Sequence, residues 1–242
     1  INVKANALRA QGKDILVLAA GEPDFDTPTN ICQAAIKAMD KGLTRYVPGK
    51  GTPALQKAII KKFKTENNID YSADEIIVGV GGKHILYNAM MATLNLNDEV
   101  IIPAPFWVSY PDIVLLAEGK PVIVACDEKQ GFKITASQLE ANINSSTKWL
   151  MLNSPNNPTG AIYSKEELLE LSQVLIKHPH VYILTDDIYE KIIYDDNVFH
   201  TLASIAPELK NRILTLNGVS KAYCMTGWRL GYCGGPKEII AA

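Results

Sequence analysis

Lysine at 221 closes the loop Asn217-Gly218-Val219-Ser220-Lys221, directly after the apolar run Ile213–Leu216. A lysine in a tight turn at the end of a buried strand is a candidate Schiff-base former. Its ordinary pKa near 10.4 must first be lowered by burial or by a nearby cation. The competing reading is an exposed loop lysine. Arg229 follows eight residues later, between Trp228 and Leu230, where a guanidinium is costly unless an anion such as phosphate pairs with it. Asp186 ends the run Val181-Tyr182-Ile183-Leu184. A carboxylate at the inner end of a buried strand wants a cationic or hydrogen-bonding partner, unless it only caps a turn.

A third candidate is Gly79-Val80-Gly81-Gly82-Lys83, which joins a strand to a helix. Bare amides at a helix start attract anions. The string is neither a Walker loop nor GxGxxG, because His84 stands where those patterns need Ser/Thr or Gly. It reads equally as a turn or as a phosphate cup. The other candidate ligands are weaker. Cys32, Cys126, Cys224 and Cys233 show no metal-ligand spacing and read as small buried hydrophobes. His178 and His180 flank Pro179 and read as solvated loop residues.

These residues need a scaffold, and the pattern supplies one. Short apolar runs predict strands at Ile76–Val80, Glu99–Pro103, Pro121–Ala125, Trp149–Asn153, Tyr182–Thr185, Ile213–Leu216 and Leu230–Cys233. Amphipathic segments predict helices at Asn30–Lys41, Pro53–Asn67, Lys83–Leu96, Trp107–Glu118 and Lys165–Lys177, with a piece near Ala203–Leu209. Ser164 with Glu167 reads as a capping box, and Thr52-Pro53 as another helix start. The expected fold is α/β: a mostly parallel seven-stranded sheet with helices on both faces. Such sheets bind ligands at the carboxyl ends of their strands. Five loops dense in Gly, Pro, Asn and Asp follow the predicted strands at those ends.

Composition narrows the function classes. The 242 residues are 47% hydrophobic and 21% charged, with a net charge of −2, so disorder and a basic nucleic-acid footprint are both excluded as expectations. No apolar run reaches the roughly 18 residues of a membrane span. Cysteine usage points to the cytoplasm. The chain stops soon after Pro236, inside what reads as a young helix, and a longer protein is expected.

The strings NSPNNPTG (153–160), TDDIYE (185–190) and SKAYCMTGWRLGY (220–232) resemble the class I pyridoxal-phosphate aminotransferases of fold type I. AAGEPDFDTP (19–28) and RYVPGKGTPALQKAI (45–59) match in the same order. The branch carrying GGK, that of the bacterial aspartate aminotransferases, is the most similar. The resemblance implies pyridoxal 5′-phosphate as cofactor, with Lys221 as its Schiff-base lysine and Asp186 paired with its ring nitrogen. Tyr189 and Asn157 then bond the ring oxygen, and Trp107 stacks on the ring. Gly81, Gly82, Lys83, Ser220 and Arg229 hold the phosphate, joined by Tyr46 from a neighbouring subunit. Gly21, Trp107, Asn157 and Lys83 face the substrate, Lys83 toward a distal carboxylate. Gly218 stands where many relatives have Ser, which removes one phosphate contact.

The implied reaction is ping-pong transamination of aspartate with 2-oxoglutarate. Its partners are small amino and 2-oxo acids and a second copy in a homodimer, with no nucleic acid and no membrane. Residues 1–27 are then an arm and 28–242 the cofactor-binding large domain, cut at its C-terminal end. The small domain, with the arginine that clamps the substrate α-carboxylate, is expected outside these residues. Prephenate or aromatic aminotransferases, β-lyases, cyclopropane-forming synthases and a cofactor-binding regulatory module share enough of this pattern to remain alternatives.

Overall fold

The computed structural model describes residues 2–16 and 21–242. Ala19 and Ala20, the start of the first matched string, lie outside the described residues. Seven strands form one sheet: β1 (Ile76–Gly79), β2 (Glu99–Ala104), β3 (Lys120–Ala125), β4 (Thr147–Asn153), β5 (Tyr182–Asp186), β6 (Ile213–Gly218) and β7 (Gly231–Gly234). Their order is β1-β7-β6-β5-β4-β2-β3. β7 runs antiparallel to both its neighbours, and the other pairs are parallel. The expected α/β architecture, mostly parallel and seven-stranded, is the one observed.

The strands read as continuous apolar runs because both faces of the sheet are covered. Successive side chains alternate between faces. Leu150 and Leu152 of β4 enter one core, while Trp149 and Met151 enter the other. The first core is closed by α3 (Pro53–Asn67) through Ile59 and Phe63, and by α7 (Lys165–Lys177) through Leu168, Leu171 and Leu175. The second is closed by α4 (Gly82–Thr93) through Ile85, Leu86 and Met90, and by α5 (Ser109–Leu116) through Tyr110, Ile113 and Val114.

Helix starts follow local chemistry. Ser164 Oγ accepts from the Glu167 amide at 3.2 Å, and Glu167 accepts from the Ser164 amide at 2.7 Å. Thr52 Oγ1 caps α3 by accepting from the Leu55 amide. Helix ends depart from expectation where side chains intervene. α4 stops at Thr93 rather than Leu96, because the Asp98 carboxylate captures the Asn95 amide at 2.9 Å and turns the chain. α5 starts at Ser109, leaving Trp107 in the preceding loop. The segment near Ala203–Leu209 splits into α8 (Leu202–Ile205) and a 3₁₀ stretch, Pro207–Arg212, since Pro207 has no amide hydrogen to continue the helix. α1 (Asn2–Ala10) and α6 (Ala136–Asn142) were not expected from periodicity; α6 is opened by a Thr135–Gln138 capping box. α2 (Thr29–Asp40) and the short α9 (Lys237–Ala241) complete the set.

Candidate active site

Six strands point their carboxyl ends to one edge of the sheet, and β7 begins there. The topology therefore gathers the loops after β1, β2, β4, β5 and β6 with the residues just before β7. Asp186 is the last residue of β5, beside Asn153 at the end of β4. Asn153 Nδ2 donates to the Asp186 carbonyl at 2.7 Å, and its Oδ1 accepts from the Asn157 amide at 2.8 Å. One buried asparagine thus ties two loops together.

The Asp186 side chain is buried. Its Oδ2 accepts from the Tyr110 hydroxyl at 2.7 Å and its Oδ1 from the Ile188 amide at 3.3 Å. Among the described residues no ammonium or guanidinium forms an ion pair with it. Burial pushes its pKa up, and the Tyr110 and Ile188 hydrogen bonds oppose that rise. A cationic N–H brought to this carboxylate would complete the pairing that the protein leaves unmade.

Lys221 is half-buried in the turn after β6. Its Nζ donates to the Gly21 carbonyl and lies 5.7 Å from the centre of the Tyr189 ring. Burial lowers its pKa and the Arg229 cation lowers it further, while Glu22 opposes both. These are the two effects that make a lysine amine reactive. Asn157 Nδ2 donates to the Tyr189 hydroxyl at 3.4 Å, so this pair sits together beside the lysine. Burial, with the Asp186 charge, raises the Tyr189 pKa.

An anion cup lies at the start of α4. Gly81 has φ +85°, and among the described residues no side chain caps the first helical amides. A Cβ on Gly81 would collide with the Arg229 guanidinium, which lies directly over the turn. Arg229 itself has φ 55° and donates to the Thr226 carbonyl at 2.9 Å. Its side chain is exposed at the sheet edge. Gly231 backs the cup, because a Cβ there would stand 2.5 Å from Gly81 C and Gly82 N. Gly231→Ala is expected to force the cup apart and cost about 1–3 kcal/mol by overpacking. The readout is a lower urea midpoint at unchanged m-value. A midpoint equal to that of the parent chain contradicts the close approach.

Most of the singled-out residues meet at this edge. Ser220 is buried beside Lys221. Trp107 packs edge-on against Tyr110 with ring centres 5.6 Å apart, and Lys83 Nζ stands 4.6 Å above the Trp107 ring. Gly21 is joined to the site by the Lys221 hydrogen bond. Tyr46 is fully exposed and takes no part within this chain. Sequence reasoning missed Tyr110 and Asn153; the signal for Tyr110 was a hydroxyl on an otherwise apolar helix, three residues after Trp107. It also missed Thr27, whose Oγ1 donates to the Cys224 carbonyl at 2.6 Å and accepts from Trp228 Nε1 at 3.1 Å. Cys126 and Cys233 are buried as expected, whereas Cys32, on α2, which buries none of its residues, and Cys224, in the loop after Lys221, are only half-buried. No group of three metal-ligating side chains occurs among the described residues.

The arrangement can hold an anion, hold a reactive amine and offer a buried carboxylate to a cation. Residues 13–242 match the sequence family described as aminotransferase class I and II. A probable aspartate/prephenate aminotransferase of Rickettsia bellii is 59% identical over 239 residues, covering 99% of this chain and 60% of its own length. The crystal structure of the aspartate aminotransferase from Rhizobium meliloti superposes with a TM-score of 0.96 at 55% identity, over 99% of this chain and 60% of that one. The Thermus thermophilus aspartate aminotransferase with maleate gives a TM-score of 0.94 at 43% identity, over 99% and 62%. The chain spans about 60% of the length of the curated relatives it matches.

Proposed function

Because the chain belongs to the class I and II aminotransferases, we propose that the protein transfers the amino group of aspartate to 2-oxoglutarate, forming oxaloacetate and glutamate. The observation that carries this reading is one sheet edge joining the lowered-pKa amine of Lys221 to the buried, cation-free carboxylate of Asp186. Relatives more than half identical are named for aspartate, which supports the substrate class.

The family's cofactor is pyridoxal 5′-phosphate, and the residues present fit it. Asp186 would take the ring nitrogen, whose N–H is the cation that the buried carboxylate lacks. The Gly81, Gly82 and Lys83 amides would take the phosphate, with Ser220 and Arg229. Asn157 and Tyr189 would bond the ring oxygen, and Trp107 would cover the ring face. Lys221 would hold the cofactor covalently. When bound, the cofactor supplies an electron sink for the electron pair of the substrate Cα–H bond.

The chain's own residues do the rest. Asp186 holds a proton at the ring nitrogen by staying ionised against it. Lys221 Nζ, freed when the substrate amino group takes its place and with its pKa lowered by burial and the Arg229 charge, takes the proton from the substrate Cα. Gly21, which accepts from Lys221 through its carbonyl, keeps that amine at the substrate side of the site. One site serves both half-reactions, so the first oxo acid leaves before the second enters.

Residues 28–242 form the cofactor-binding domain in this reading, with 1–27 as its arm. The exposed Tyr46, flanked by exposed Leu43 and Val47, supports a second copy seated on that loop, its Tyr46 reaching the partner site. No described helix is long and apolar enough to cross a membrane, and the four free thiols support a cytoplasmic home. The Lys83 ammonium above Trp107 supports a contact to the distal carboxylate.

The test is the full-length protein with pyridoxal phosphate, aspartate and 2-oxoglutarate, followed by oxaloacetate release. Pyruvate and ammonia instead would overturn the reading in favour of a lyase. In the same assay Lys83→Ala is expected to lower kcat/KM for aspartate about tenfold or more beyond any loss for an aromatic amino acid. Equal losses for both would remove Lys83 from substrate choice.

A further inference from the structure

The sheet face turned away from Asp186 carries a second polar layer that the proposed reaction does not use. Strand alternation puts Thr185 of β5 there, opposite Thr215 of β6. The Asp187 amide continues the ladder by donating to the Leu216 carbonyl at 2.9 Å, so Asp187 and Asn217 follow on the same face. The Tyr71 hydroxyl meets Thr215 Oγ1 at 3.0 Å. Asp187 is 3% exposed and Glu190 6%.

Three buried carboxylates, Asp186, Asp187 and Glu190, thus lie within five residues; Lys62 of α3 reaches Glu190, while Lys210 stands 4.8 Å over the Tyr71 ring and pairs with Glu75. Lys62 is already engaged. It pairs with Glu190 and donates to Asn67 Oδ1 at 2.7 Å, while Asn67 Nδ2 donates to Glu190 at 2.8 Å. Asp187 Oδ2 has no partner, nor do Thr185 Oγ1, Thr201 Oγ1 or Asn217 Nδ2 among the described residues. Two ionised carboxylates on adjacent residues, though on opposite faces, repel one another in a buried setting, as does the third nearby, on which one ammonium is already spent.

We propose that Asp187 is a positioning residue that keeps its proton at neutral pH, so that Asp186 remains the one carboxylate charge at the strand end. Burial pushes the Asp187 carboxyl up to about 8; the nearby Thr201 hydroxyl and Lys62 oppose the rise, and Glu190 and Asp186 add to it. Tyr71, Tyr110 and Tyr232 also feel Asp187, and burial raises all three phenols above their ordinary value, so they stay neutral beside it.

The role given to Asp186 rests on the aminotransferase reading; the protonation of Asp187 does not. The sign follows from linkage. Between the ordinary carboxyl value near 3.9 and about 8, the folded protein holds a proton that the unfolded chain releases, so stability falls as pH rises across that window. Asp187→Asn mimics the neutral acid and removes this dependence. In cofactor-free full-length protein, urea unfolding of wild type and variant from pH 5 to 8 is expected to diverge, the ratio of unfolding constants moving about tenfold per pH unit in favour of the variant. A ratio independent of pH would overturn the proposal. In cofactor-loaded protein the pH midpoint of the near-visible band is expected to coincide in wild type and Asp187→Asn. A shifted midpoint would show that a charge was lost and would also overturn it. Carboxyl-¹³C aspartate spectra give a second check: one aspartate carbon keeps its protonated shift at pH 6.5 in wild type and is missing from Asp187→Asn, whereas spectra without that difference, or complete titration of every aspartate by pH 6, contradict the proposal.

Discussion

Replacing Lys221 with alanine is expected to lower amino transfer by the full-length protein at least about 10²–10⁴-fold, the range for losing a positioned acid–base group. The loss is larger if the covalent hold on the cofactor is also rate-determining. The half-buried Nζ touches Gly21 and Tyr189 and makes no ion pair among the described residues, so the fold does not depend on it. The urea midpoint is therefore expected to stay close to that of wild type while kcat collapses. Arginine cannot substitute, because a guanidinium stays protonated and cannot take a proton from Cα. The check is single-turnover kinetics of wild type, Lys221→Ala and Lys221→Arg with aspartate. Retention of more than about a tenth of the wild-type rate in either variant would sink the assignment.

The second large effect is expected at Asp186. Asp186→Asn keeps the shape and the buried position but removes the charge. Its amide can still meet the Tyr110 hydroxyl and the Ile188 N–H, so folding survives. What is lost is the ionised acceptor for a ring N–H. Breaking one side of a buried charged pair costs about 3–5 kcal/mol, equivalent to roughly 10²–10⁴ in kcat/KM if the loss is felt in the transition state. The readout is kcat/KM for aspartate together with cofactor affinity. If affinity falls while kcat at saturating cofactor is unchanged, Asp186 only binds and does not hold a catalytic proton.

Much of this site was legible from residue types because its parts sit at loop positions beside buried strands. Lys221 and Asp186 follow apolar runs, and a parallel sheet carries such positions to one edge. The apolar runs themselves were readable because both faces are covered. The direction of β7 was not readable, since a four-residue apolar strand looks the same either way; the tight turn through Arg229 sets it. Tyr110 was not legible as the partner of Asp186, because 76 residues separate them and a tyrosine on an apolar helix face reads as core. The place of the Arg229 guanidinium over Gly81 was not readable, since it comes with a positive φ that nothing in a Trp-Arg-Leu string announces. The link from Thr27 to Cys224 and Trp228, which lays residues 21–28 against the lysine loop, spans almost 200 residues and has no sequence signature.

The central claim is that Lys221 holds pyridoxal phosphate. The direct measurement is borohydride reduction of the cofactor-loaded full-length protein, followed by digestion and peptide mass mapping. The account predicts one stable cofactor adduct, located on the peptide that contains Lys221 and missing from Lys221→Ala. An adduct on a different lysine, or none in wild type, would contradict it.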